Sequence, residues 1–129
     1  MRTTNKITNL AIAVLITGFL AGNAYGETSA KEFFKTYDAE VKNNFKRIEQ
    51  GYQKALLQGM SIGIGWANTI IENETGKKLW CQPAKLAVSL DQDISMLRLA
   101  LKEDPTLEKV PLGMALIYAY KYTFPCHKQ

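Results

Sequence analysis

After residue 30, apolar residues recur at spacings of three and four, and nowhere in the period-two alternation that marks a strand. Phe34, Tyr37, Val41, Phe45, Ile48, Tyr52 and Leu56 fall on one face of a helix, and Lys35, Lys42, Lys46 and Arg47 fall largely off it. That arrangement reads as a solvated basic face beside a core-facing stripe. Gly51 marks an expected break or kink, because glycine costs roughly 1 kcal/mol against alanine inside a helix. From Tyr52 to Ile71 the chain is apolar on nearly all sides, the pattern of a buried central helix. Gly59 and Gly63 stand one turn apart, with Gly65 following, and predict the close approach of a neighbouring helix. The polar residues Ser61, Asn68 and Thr69 interrupt the run and favour the centre of a bundle over a membrane contact.

Asn73-Glu74-Thr75-Gly76-Lys77-Lys78 reads as a turn or loop, with Gly76 suited to the left-handed conformation that ends helices. A connection follows Pro83. Ser89 then stands three residues before Gln92, the spacing of a capping box, and Asp91 and Asp93 add negative charge at the positive end of a helix. Leu90, Ile94, Leu97 and Leu101 form the inner stripe of that helix. Pro105 stops it near Glu103, and Pro111 suits the first position of the next. Leu112, Ala115, Leu116, Ala119 and Tyr122 line the inner face of this last helix, and Pro125 ends it. The expected fold is all-α. It is a small single-domain bundle of about four helices, ending in a helical hairpin whose two ends carry Cys81 and Cys126.

The first 26 residues read differently. Arg2 and Lys6 precede an uncharged, mostly apolar run from Leu10 to Leu20, and Ala24-Tyr25-Gly26 fits a small-x-small cleavage site. Residues 1–26 are therefore expected to be a secretory signal and residues 27–129 the mature domain. An uncleaved anchor is the alternative, but the run is shorter than the ~20 residues a spanning helix needs. The formal charge of +4 includes Arg2 and Lys6, and without these two it is +2. So weak a balance argues for neither nucleic acid nor an anionic membrane as partner. Export would place the only two cysteines in an oxidising compartment, where a disulfide persists. Closing a loop of about 45 residues is worth roughly 4 kcal/mol in the chain-entropy model. A metal pair and a reactive thiol are the rival readings of Cys81 and Cys126.

Catalytic chemistry is hard to build from this composition. The sole histidine, His127, adjoins Cys126 in sequence, where the two cannot face each other as nucleophile and base must. Zinc wants four ligands. The glycines from 59 to 65 lack the following Lys-Ser/Thr of a phosphate loop. No enzyme activity, metal or cofactor is expected, and a binding function remains.

The pattern Cys81-Gln82-Pro83, Ser89 with Gln92, Pro105, Pro111 and Phe124-Pro125-Cys126 resembles the Rap/Tai-type immunity proteins of type VI secretion systems. Gly59-Met60-Ser61-Ile62-Gly63-Ile64 is similar to that family's glycine segment, with Met60 in place of its tyrosine. Leu57-Gln58 stand where many members carry a further cysteine. The resemblance covers roughly Leu57 to Cys126. It implies a helical periplasmic protein, often a homodimer, that binds a peptidoglycan amidase effector and blocks its active-site cleft without supplying a catalytic group. A structural or accessory periplasmic protein, such as a small chaperone or envelope factor, is the other reading. For partner binding, the first expectation is the Asn73–Trp80 loop with Lys77, Lys78 and Trp80, since an aromatic and basic residues beside a rigid anchor make interface hot spots; the alternative is a solvated connector with Trp80 folded into the core. The Asp104–Val110 connection, with Glu108 and Lys109, is the second.

Overall fold

The structure, a computed structural model, describes residues 27–42 and 50–126. Residues 1–26, 43–49 and 127–129 lie outside these residues, and with them the expectations for a secretory signal and for Phe45, Ile48, Lys46, Arg47 and His127. Four α-helices form the described fold: α1 (Ala30–Lys42), α2 (Gln50–Thr75), α3 (Leu90–Glu103) and α4 (Leu112–Thr123). A 3-10 helix at Pro105–Lys109 joins α3 to α4. Among the described residues there is no strand, only an isolated bridge between Ser29 and Pro111.

Helix α1 starts on a capping box that the sequence reading passed over. The Ser29 Oγ accepts from the Glu32 amide at 3.2 Å, and Glu32 accepts in return from the Ser29 amide at 3.4 Å. Its inner stripe is Phe33, Phe34 and Tyr37, all buried, with Phe33 and Tyr37 stacked at 5.7 Å between ring centroids. Val41 is exposed, so the stripe leaves the core at the last turn of α1. The residues before α1 are stitched to the start of α4. The Ala30 amide donates to the Val110 carbonyl at 3.2 Å, and the Leu112 amide to the Thr28 carbonyl at 2.9 Å. Helix α4 has Pro111 at its N-cap and no side-chain cap of its own. Glu27 fills that role by accepting from the Gly113 amide at 2.9 Å.

The hairpin of α3 and α4 shares the largest helix interface. Ser89 and Gln92 form the expected capping box, with bonds of 3.3 and 2.7 Å. Ile94, Met96, Leu97 and Ala100 of α3 pack against Leu112, Ala115, Leu116 and Ala119 of α4 in the common core. Leu97, Leu112 and Leu116 are wholly inaccessible. Tyr122 does not line this face; it is exposed, and Tyr120, two residues earlier and on the opposite side of the helix, is buried instead. Pro105 ends α3 at Glu103 and opens the 3-10 turn, where the Asp104 carboxylate accepts from the Thr106 amide at 3.0 Å. The disulfide between Cys81 and Cys126 closes the hairpin, with a Cα–Cα distance of 4.9 Å. No free thiol and no metal pair remain among the described residues.

Helix α2 departs most from expectation. It is not a buried central helix: Leu57 is its only buried apolar residue, while Tyr52, Ile62, Trp66 and Ile70 are exposed. Neighbouring helices cover one side only. Nor do its glycines mediate a close approach within the chain, since a Cβ built at Gly59, Gly63 or Gly65 meets nothing within 4 Å. Gly51 lies in the first described turn of α2, and the expected break or kink beside it borders residues 43–49, which lie outside the described residues. Asn73-Glu74-Thr75 continues the helix instead of forming a loop, and Gly76, at φ +72, ends it. The Gly76 amide donates to the Glu72 carbonyl at 2.8 Å, and the left-handed backbone then sends the chain back across α2.

Candidate functional site

The segment from Gly76 to Ser89 has no helix of its own, yet its first half is fastened at several points. Thr75 Oγ1 donates to the Ile71 carbonyl at 2.7 Å and accepts from the Lys77 amide at 3.2 Å. Lys78 pairs with Glu72 of the preceding helix turn, N to O at 3.2 Å. Both side chains are partly exposed, so this pair contributes little stability and serves mainly to bias the loop. The firm anchor is Asn68, buried on α2. Its Nδ2 donates to the Trp80 carbonyl at 3.0 Å, and its Oδ1 accepts from the Leu79 amide at 2.8 Å. One side-chain amide thus replaces the backbone pairing that a loop against a helix lacks. Beyond it, the Cys81 amide donates to the Phe124 carbonyl at 2.8 Å, and the disulfide fixes the same point covalently.

Trp80 follows from this fastening. It is 2 % exposed and lies against Tyr120, with ring centroids 4.9 Å apart. The expectation that Trp80 is a surface anchor for a partner is therefore corrected: its indole fills the space between α2 and α4 and holds the loop from beneath. Below it is a polar chain. Tyr120 Oη donates to Asp93 Oδ1 at 2.6 Å, and Ser61 Oγ lies 2.9 Å from the same phenol oxygen. Asp93, one of two acidic residues read as dipole-complementing charges at the start of α3, is buried. Burial pushes its carboxyl above the ordinary aspartate value, against the hydrogen bonds from Tyr120 and Ser61 that pull it down. Burial, followed by the bond to Asp93, likewise pushes the Tyr120 phenol up. The three groups satisfy one another and tie α2, α3 and α4 together.

Between α2 and the Gln82–Val88 part of the loop runs an open groove of about 410 Å³. Ile62 and Trp66 form its outer lip, Asn68, Trp80 and Tyr120 its inner side, and Lys78 and Gln82 contribute polar groups. Lys77 is exposed on the turn beside it. The structure thus brings Lys77, Lys78 and Trp80 to one place, with the two lysines outside and the tryptophan inside. Glu108 and Lys109 do not join them. They sit at the opposite end of α4, which at 12 residues spans roughly 18 Å. There Glu108 pairs with Lys31 at 3.9 Å beside a second groove, where Arg98 lies 4.2 Å above the Phe34 ring and pairs with Asp38.

The described residues contain no group of three or more His, Cys, Asp or Glu side chains placed to hold a metal ion. At this site, Asn68 and Asp93 have roles that the sequence reading missed. A polar residue on an otherwise apolar helix, and an acid one turn inside a capped helix, were the only signals, and neither identifies its partner. In comparisons with known proteins, no family model, curated protein or solved structure matches the chain.

Proposed function

We propose that the chain is an exported, periplasmic immunity-type protein that binds a peptidoglycan amidase effector and inhibits it by covering the active-site cleft. It contributes no catalytic group and needs no cofactor. The observation that carries this reading is the fastened loop from Gly76 to Cys81. It leaves α2 at a left-handed glycine, is clamped by Asn68, is floored by Trp80 and ends in the disulfide. An inhibitor that works by occlusion has to present a segment already held in its bound form, because ordering a loop on binding subtracts from affinity. Lys77 and Lys78 stand on that segment and offer charge to an acidic rim around a cleft. The resemblance of residues 57–126 to the immunity proteins supplies the class of partner, and the disulfide fits the oxidising compartment the reading requires. No described helix is long and apolar enough to cross a membrane.

The test is direct. Candidate small cysteine–histidine amidases of type VI systems are passed over the immobilised, oxidised protein, and any that bind are assayed for peptidoglycan hydrolysis with and without it. The proposal expects stoichiometric binding and loss of hydrolysis by at least one. Amidases that hydrolyse undiminished in the presence of excess protein would leave no support for the inhibitor reading.

A further inference from the structure

We propose that the groove between α2 and the Gln82–Val88 segment binds a neutral saccharide, with one pyranose ring stacked on Trp66 and its hydroxyls held by Ser61, Asn68, Thr69 and Gln82. The proposal does not depend on the inhibitor reading, since the site needs no amidase. At about 410 Å³ the groove lies within the range of small-ligand sites, roughly 300–1,000 Å³. Charge narrows the class of ligand. None of the described residues that line the groove is acidic, so it offers nothing to a cationic ligand. Lys78 is its one cation, and Glu72 already pairs with it at 3.2 Å. An anionic ligand calls for an arginine fork or a cluster of free cations, and neither lines the groove. A neutral ligand remains, recognised by hydrogen bonds and an apolar surface.

The hydrogen bonds already made along the groove set what it offers. Tyr120 Oη gives its single hydrogen to Asp93 Oδ1 at 2.6 Å, so Ser61 Oγ, 2.9 Å from the phenol oxygen, is the donor in that second contact. The Ser61 hydroxyl hydrogen is thus engaged, and its oxygen keeps the capacity to accept. Thr69 Oγ1 is in the same state, because its hydrogen goes to the Gly65 carbonyl at 3.2 Å. Gln82 Nε2 donates to the Leu86 carbonyl at 2.5 Å, which holds the amide and leaves Oε1 as a third acceptor. Asn68 Nδ2 uses one hydrogen on the Trp80 carbonyl and has a second to give. Neighbouring hydroxyls, each both donor and acceptor, answer such a set. An extended peptide brings one amide hydrogen per residue and answers it less well. The groups are held before a ligand arrives, so binding has little ordering to do.

Trp66 supplies the apolar surface. It stands at the lip of the groove and is 67 % exposed, unlike Trp80 in the inner side. A Cβ built at the adjoining Gly65 meets nothing within 4 Å, so the space beside the indole is open. The face of an indole is electron-rich and attracts the weakly positive C–H hydrogens that cover the face of a pyranose ring. A sugar has this pair of surfaces, C–H groups on its faces and hydroxyls around its rim. With one face on Trp66, the rim meets Ser61, Asn68 and Gln82. Because the groove is open and stays wet on one side, the expected dissociation constant is in the millimolar range.

The experiment is calorimetric titration of the purified, oxidised protein with cellotriose, maltotriose and chitotriose, and separately with N-acetyl-trialanine amide as a neutral peptide. Tryptophan emission is followed in parallel. At least one saccharide is expected to bind and to shift the emission to the blue, as Trp66 leaves water. Its affinity is expected to change less than about twofold between low and high salt, as binding without ion pairs requires. Trp66→Ala, at an exposed position and checked for helix content by circular dichroism, is expected to weaken binding at least about tenfold, and Trp66→Phe to retain part of it. Failure of all three saccharides to bind throughout the millimolar range overturns the proposal. So does a folded Trp66→Ala variant that binds like the parent. Tighter binding of the neutral peptide than of every saccharide assigns the groove to a peptide and overturns the proposal as well.

Discussion

Replacing Asn68 with alanine is the sharpest way to ask whether the loop is held as described. The side-chain amide makes two good hydrogen bonds, to the Trp80 carbonyl at 3.0 Å and from the Leu79 amide at 2.8 Å, and a long one of 3.5 Å from the Trp80 amide. Trp80 itself is buried, so its backbone groups lose their partner where water has poor access. An unsatisfied buried donor or acceptor costs about 1–3 kcal/mol. Two such groups set a range of about 2–6 kcal/mol. The open groove alongside lets water reach part of the site, and the small cavity left by alanine admits more, so the lower end, about 2–3 kcal/mol, is expected. At roughly 4–8 °C per kcal/mol for a domain of this size, the melting temperature falls by roughly 8–24 °C. The assay is denaturant unfolding with the disulfide intact, in a Trp66→Phe background so that Trp80 is the sole indole reporter. The native emission should shift to the red as Trp80 loses its fixed seat. An Asn68→Ala protein within about 0.5 kcal/mol of its parent, with unshifted emission, would refute the clamp, because surface-like substitutions fall in that range.

Three other expectations follow from particular contacts. Reduction, or Cys81→Ser with Cys126→Ser, should lower stability by about 4 kcal/mol on the chain-entropy estimate for this loop, read from denaturation midpoints, while denatured, unreduced protein should show no alkylatable thiol. Ser89→Ala should cost about 0.5–2 kcal/mol through loss of the α3 cap, and an unchanged midpoint would mean that the capping box carries no weight. Asp93 binds its proton more tightly in the folded than in the unfolded chain, so its contribution to stability is present in acid and is lost as pH rises through its raised native value. Asp93→Asn keeps an oxygen for the Tyr120 hydroxyl and removes the titration, so the stability of the variant relative to the parent should rise with pH from the ordinary aspartate range upward; a flat difference would contradict this.

What could be read from the residues was whatever depends on near neighbours. The Ser89–Gln92 cap and the α3 stripe rest on spacings of three and four, the stop at Pro105 and the bounds of α4 rest on prolines, and all are present. Helix α2 misled because an all-apolar helix and a half-exposed helix with a second apolar face have the same periodicity. Only the number of neighbouring helices separates them, and the described fold supplies cover for one side. Asn68 and Asp93 were hidden for another reason. Their partners lie 12 and 27 positions away, and a polar residue gives no sign of which distant backbone or phenol will satisfy it. Trp80 illustrates the same point from the other side: the cluster Lys77, Lys78, Trp80 lies beside the disulfide as expected, but the loop turns the tryptophan inward and leaves the lysines outside.

That division of roles can be tested in one measurement. Amidase activity on peptidoglycan is titrated with the parent protein and with a Lys77→Glu, Lys78→Glu variant whose helix content and disulfide match the parent's. The inhibitor account predicts stoichiometric inhibition by the parent and a marked loss of inhibition by the folded variant. Equal inhibition by both proteins would remove the lysine loop from the contact surface, and no inhibition by the parent would contradict the account itself.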